Sequence, residues 1–216
     1  MAYPTSPAET LADAAVHLIG LAFAIPAALV LLTMAADLSL PVLPTALYAA
    51  CMVFAFAASA IYHLLPFERI RPALGRVDHA AIYFKIAGTY TPLVMLIGTG
   101  FAYAILGVVW ALAACGALAK LWFWRTDARG SLALYLGMGW LSVLLVYPMW
   151  QNLPGAALAL IALGGALYSL GTIVYARDGM RYQNAIWHVF VLLASVLFFA
   201  AIHLSLSAHG LQVPGL

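Results

Sequence analysis

The 216-residue chain is 66% hydrophobic and 7% charged, with nine Lys/Arg, seven Asp/Glu and a formal net charge of +2. Soluble domains carry roughly 25% charged residues, so this chain cannot cover a water-facing surface, and lipid is the solvent that tolerates it. The near-neutral balance excludes a basic face for nucleic acid, and Cys51 and Cys115, both inside apolar runs, read as small hydrophobes and not as a disulfide framework.

A bilayer core about 30 Å thick calls for roughly 20 apolar residues per helix. In chain order the candidate runs are Leu11 to Ala36, Thr45 to Leu65, His79 to Ile97, Tyr103 to Trp124, Leu132 to Tyr147, Ala156 to Tyr175 and Ala185 to Leu206. The first has no positive segment before it and no small-residue cleavage site after it, so it reads as a retained helix. Pro41 and Pro44, Pro66 to Pro72, Gly98 to Gly100, Arg125 to Gly130, Pro148 to Pro154 and Arg177 to Gln183 punctuate the runs. Gly165 and Ser169, at helical spacing, suit close helix contact in lipid. Trp110, Trp122, Trp124, Trp140 and Trp150 suit interfacial belts. No linker or internal repeat divides the chain, so residues 1–216 read as a single all-α domain, a polytopic seven-helix transmembrane bundle.

The basic residues set its orientation. Arg69, Arg71 and Arg76 precede the third helix, with Lys85 about two turns into it. Lys120, Arg125 and Arg129 follow the fourth, and Arg177 and Arg181 follow the sixth. With seven spans, all nine fall on the side of the N-terminus. The positive-inside rule makes that side cytoplasmic and places the C-terminus outside.

Ionisable residues inside a span are costly and face a bundle interior. Here they gather at one depth. Glu9, Asp13 and His17, four apart, form a stripe at the start of the first helix. Ser59, Tyr62 and His63 end the second, Arg76, Asp78 and His79 start the third, and Asn184 and His188 start the seventh. Imidazole and carboxylate are zinc donors, and a catalytic zinc keeps three protein ligands and an open water position. His63, His188 and Asp78 could supply that set, with Ser59 one turn deeper than His63 to orient a substrate or water. Zinc would lower the pKa of its water to about 7 and polarise a carbonyl. The competing reading is that each His caps or hydrogen-bonds locally, and that Glu9 and Asp13 favour the positive end of the first helix. Trp187 lies beside His188 and is placed to pack on the site. His203 lies about 22 Å along the helix from His188 and belongs, with His209, to the outer interface.

These motifs together resemble the hemolysin III family of bacterial membrane proteins, related to the progestin and adipoQ receptors. The likeness covers nearly the whole chain. It lies in Glu9, Asp13, His17 and Gly20, with Asp13 where the family pattern has Asn, and in Ser59-Ala60-Ile61-Tyr62-His63. It continues in Arg76-Val77-Asp78-His79 followed by Ala87-Gly88-Thr89-Tyr90-Thr91-Pro92, and in Ile186-Trp187-His188 with Phe190-Val191. The resemblance implies seven helices, a cytoplasmic N-terminus and residence in the bacterial inner membrane. It also implies a zinc site near the cytoplasmic face. The wider superfamily includes alkaline ceramidases, which hydrolyse lipid amides. By that analogy His63 and His188 are zinc ligands, Asp78 binds the metal or its water, and Ser59 assists. Two further positions depart from the pattern: Asn184 replaces the first histidine of a pair four apart, and Phe198 stands where another His is expected. The third ligand then falls to Asp78 or His17, or the site is absent.

Three functions follow as expectations. The first is a zinc-dependent hydrolase of a lipid amide or ester, with membrane lipids as surroundings and a lipid as substrate, and with Asp78 taking or holding the proton. The second is a non-catalytic membrane sensor or homeostasis protein, which Asn184 favours. The third is a cytolytic effector, disfavoured because the outer halves of the helices carry no polar stripe. A retinal protein is set aside, since neither Lys85 nor Lys120 lies in the last helix.

Overall fold

A computed structural model of the chain describes residues 6–66, 68–123, 129–177 and 179–211. Trp124 and Arg125, which figure in the expectations above, lie outside them. The described residues are helical almost throughout: α1 (Pro7–Asp37), α2 (Val42–Leu64), α3 (Arg71–Ile97), α4 (Gly100–Trp122), α5 (Arg129–Trp140), α6 (Val146–Asn152), α7 (Gly155–Tyr175) and α8 (Gln183–Gly210). Short 3-10 segments, Glu68–Ile70 and Leu141–Leu145, precede α3 and join α5 to α6. Seven spans are long and apolar enough to cross a membrane, the fifth being the composite Gly130–Asn152.

Local chemistry explains the boundaries. α1 opens on a capping box: the Ser6 hydroxyl accepts from the Glu9 N–H at 3.3 Å, and a Glu9 carboxylate oxygen accepts from the Ser6 N–H at 3.2 Å. α3 begins at Arg71, eight residues before the expected start at His79, so Asp78 and His79 sit two turns inside it. Pro72 does not break it, because the first turn of a helix leaves its N–H groups without intrahelical partners anyway. The same reasoning corrects the expected break at Pro148. It is the third residue of α6, where the missing donor costs little, and the span runs on to Asn152. α3 stops at Gly98, whose φ of 68° is the left-handed cap that glycine adopts without strain.

α3 is the axis of the bundle. Of its most apolar 18-residue window 72% is buried, against 22–44% in the other spans. It packs on α2, α4, α5 and α8, while α1 lies against α2 and α8, and α7 against α8. Small residues set the approach. A Cβ at Gly116 of α4 would lie 2.5 Å from Cε1 of Tyr83, a fully buried ring on α3. The close α7–α8 contact runs through Gly164 under Phe198 and Gly171 under Phe190 and Trp187. Gly165 meets nothing within 4 Å and, with Ser169, lines a cavity. The sequence reading placed that contact one residue off, which on a helix is a turn of about 100°. Leu18, Ile19, Leu29, Phe101 and Leu163 cover the outside, as a lipid solvent permits. Trp122, Trp140 and Trp150 are exposed as an interfacial belt requires, but Trp110 turns inward, where its Nε1–H donates to Thr91 Oγ1 at 3.2 Å.

Candidate metal centre

The polar residues of α1, α2, α3 and α8 converge at the end of the bundle that holds the N-terminus. His17 and His188 are each tied to their own helix. His17 Nδ1 lies 2.7 Å from the Asp13 carbonyl oxygen, and His188 Nδ1 lies 2.8 Å from that of Asn184. A carbonyl oxygen only accepts, so each Nδ1 carries the proton and each Nε2 the lone pair. His63 is fixed across helices, with Nδ1 2.9 Å from Asp13 Oδ2. Two bound carbonyls and one carboxylate therefore select the same tautomer in all three rings. This is the arrangement in which metal-binding histidines are oriented and made more basic.

One ligating atom from each of His17, His63 and His188 lies within 4.8 Å of the others. The rings are packed together: His17 and His63 stack at 4.8 Å between centroids, and His17 and His188 are 4.3 Å apart. Ser59 Oγ lies 3.1 Å from His17 Nε2 and 3.2 Å from His188 Nε2, so its single proton can be donated to one of them at a time. Asp78 Oδ2 is 4.0 Å from His63 Nε2 and 3.6 Å from His79 Nδ1.

The donor set fits a zinc ion. Three imidazoles match a catalytic zinc that keeps one open position. Asp13 supplies an independent observation. It is 1% exposed, and its Oδ1 makes no hydrogen bond, standing 3.5 Å from His17 Nδ1 and 3.7 Å from His188 Nδ1. A buried carboxylate calls for compensating positive charge, and a cation held by the three rings would provide it.

The placement of the expected residues is mixed. His63 and His188 meet, although they are 125 positions apart in the chain. The imidazole that joins them is His17, while Asp78 stands beside the group. Asn184 lines the same cavity, but it is its backbone that engages His188. His79 is turned away: its Nδ1 is 2.6 Å from the Gly75 carbonyl and its Nε2 3.2 Å from the Tyr175 hydroxyl. Trp187 packs against Tyr175, with 5.2 Å between ring centroids. Glu9 serves the α1 cap and accepts from the Tyr182 N–H at 3.0 Å, so the helix-start reading holds for Glu9, whereas Asp13 faces the histidines. Sequence reasoning did not find Asp13 as the anchor of His63. The four-residue spacing of Asp13 and His17 showed a shared face but not what it meets.

Above the histidines opens a cavity of about 740 Å³, walled chiefly by apolar side chains. His17, Ser59, His63, Asp78 and His188 lie at one end, and Leu93, Ile97 and Met149 at the other. It is large enough for a drug-sized or lipid-chain ligand.

Fold and site thus define a multi-pass membrane protein with a three-histidine cluster, two of its rings buried and one partly so, at one end of a chiefly apolar cavity. The chain belongs to the Haemolysin-III related family, whose profile matches residues 7–199. It is 36% identical over 195 residues to the hemolysin-3 homolog of Bacillus subtilis (strain 168), covering 88% of this chain and 91% of that one. It is 33% identical to hemolysin-3 of Bacillus cereus, covering 88% and 89%. The human monocyte to macrophage differentiation factor is 30% identical over 154 residues, covering 68% of this chain and 63% of that protein, and supports the relationship to the progestin and adipoQ receptors.

Proposed function

We propose that this protein is a zinc-dependent hydrolase of a lipid amide or ester. In this reading His17, His63 and His188 hold the metal near the cytoplasmic face of the bacterial inner membrane. The observation that carries the reading is the convergence of three tautomer-locked imidazoles at the polar end of an apolar cavity. Zinc, when bound, supplies a Lewis acid that polarises a carbonyl and acidifies water.

The chain's own groups do the rest. The cavity walls hold the hydrocarbon chain and exclude water, so that the scissile carbonyl lies against the histidine end. Ser59 Oγ, within hydrogen-bond reach of two Nε2 atoms, donates to the carbonyl oxygen as charge develops on it. Asp78 Oδ2, in the cavity wall 4.0 Å from His63 Nε2, takes the proton released from water and returns it to the leaving amine or alkoxide. Asp13 keeps the His63 ring oriented and neutralises charge behind it. The His79–Tyr175 contact and the Tyr135 hydroxyl donating to the His79 carbonyl at 2.7 Å hold α3 in register with α5 and α7.

The test is the metal content of purified protein, prepared without chelator, beside His17→Ala, His63→Ala and His188→Ala. Zinc near one per chain, lost in all three, followed by hydrolysis of lipid amides or esters in that preparation, is the expected result. A wild type without zinc, or equal hydrolysis by zinc-free His63→Ala, would overturn it.

A further inference from the structure

The histidine tier is repeated, in different chemistry, two helical turns deeper. Seven residues into the bilayer from His63, Asp78, Tyr175 and His188 stand Phe56, Lys85, Tyr168 and Ser195, and all eight residues except Ser195 line the cavity. Seven residues of helix rise about 10 Å. Lys85 is 9% exposed and donates from Nζ to Ser195 Oγ at 2.7 Å. Ser195 Oγ in turn donates to the Val191 carbonyl at 2.6 Å and lies 3.2 Å from the Tyr168 hydroxyl. The ammonium sits 4.4 Å from the Phe56 ring centroid and 5.6 Å from that of Tyr168.

This is a cation inside the bilayer with no carboxylate within 4 Å among the described residues. An ammonium has three N–H donors, and the Ser195 hydroxyl engages one. Aromatic faces soften the charge but accept no strong hydrogen bond. Such groups in membrane spans mark ligand or ion sites.

We propose that Lys85, Ser195 and Tyr168 form a binding site for the carboxylate of a fatty acid, its chain lying in the outward part of the cavity. One ammonium matches one singly charged head, whereas a phosphate monoester would bring a second charge and the described residues of the tier offer no second cation. Outward of Lys85 the walls are chiefly apolar, with Leu93, Val94, Ile97, Ile161 and Phe198, and the hydroxyls of Thr89, Tyr90 and Ser142 there are bound to backbone carbonyls. The distance along α3 from Lys85 to Ile97 is about 18 Å, room for a long hydrocarbon chain. The acid comes from the membrane pool or from hydrolysis at the histidine tier. The site stands on the second tier's geometry and does not depend on that activity.

The test is equilibrium binding of radiolabelled laurate to the full chain in nanodiscs of a phosphocholine lipid, with empty discs subtracted and dodecanol as the uncharged control. Saturable binding of laurate is expected, weakened roughly tenfold or more in Lys85→Met, less in Ser195→Ala and Tyr168→Phe, and unchanged in His63→Ala. Dodecanol should bind wild type and Lys85→Met alike. Fatty acid co-extracted with wild type but not with His63→Ala would mark it as reaction product. Co-extraction with both would mark the membrane pool, and either result carries the site. Equal laurate affinity in wild type and Lys85→Met, absence of saturable binding, or a loss confined to His63→Ala would overturn it. Should Lys85→Met fail to fold, unchanged binding in both Ser195→Ala and Tyr168→Phe is the refuting result.

Discussion

Replacing Asp13 separates the two things its carboxylate does. Oδ2 accepts from His63 Nδ1 at 2.9 Å, and Oδ1 stands 3.5 and 3.7 Å from the Nδ1 atoms of His17 and His188. One carboxylate thus sits behind all three rings. Partners of this kind are worth about 10–100-fold in metal affinity, or about 1.4–2.7 kcal/mol. Asp13→Ala removes the charge and also strands the buried His63 N–H, so the upper end of that range is expected, with a further stability loss of about 1–3 kcal/mol from the unsatisfied donor. Asp13→Asn keeps an oxygen on His63 Nδ1 and removes the charge, and the NH2 that replaces Oδ1 displaces no hydrogen bond, since Oδ1 makes none. Zinc affinity near the lower end of the range, with little loss of stability, is expected. The assay is competition for zinc against a chromophoric chelator in detergent, beside a thermal melt of the metal-free protein. If Asp13→Ala binds zinc within about twofold of wild type, the carboxylate does not support the site and the argument from the buried charge fails.

Other outcomes follow from the same geometry. His17→Ala should lose zinc as completely as His63→Ala, measured by metal analysis. Adding Asn184→His, one turn from His188 on the same face, should restore part of it. Asp78→Asn should retain zinc and lower turnover roughly 10²–10⁴-fold, and Ser59→Ala should do so by roughly 10²-fold, in a lipid-amide or ester assay. Gly116→Ala drives a methyl to 2.5 Å from Tyr83, whose hydroxyl is held 3.0 Å from Ser131, and should cost about 1–3 kcal/mol in a detergent melt. Gly165→Ala, with nothing within 4 Å, should leave the melt unchanged within about 0.5 kcal/mol.

Several features were legible because they are local. Whether a 20-residue run partitions into lipid depends on its own composition, so the seven spans could be marked without knowing what any of them touches. The motif residues at the ends of the runs likewise pointed to the family that the profile and the relatives show. The depth of the polar residues was legible too, since rise along a helix is fixed by counting. Boundaries were less so. Pro72 and Pro148 read as breaks, yet each sits in a first turn where a proline is harmless.

Rotation about each helix axis was not legible, and it decides the site. Composition cannot say that Gly164 meets Phe198 while Gly165 faces a cavity, nor that Lys85 finds Ser195 across 110 residues. The same holds for the third imidazole. Asn184 stands where the resemblance led one to expect a histidine in α8, and both Asp78 and His17 could stand in for it by depth alone. His17 joins the group because α1 packs against both α2 and α8, which brings its Nε2 to the same Ser59 hydroxyl that meets His188. The amino-acid sequence determined the solvent, the spans and the depth of each polar side chain, because those depend on a residue's own transfer energy and its place along one helix. Only the tertiary structure decided which side chains meet, because that depends on how helices far apart in the chain turn and cross.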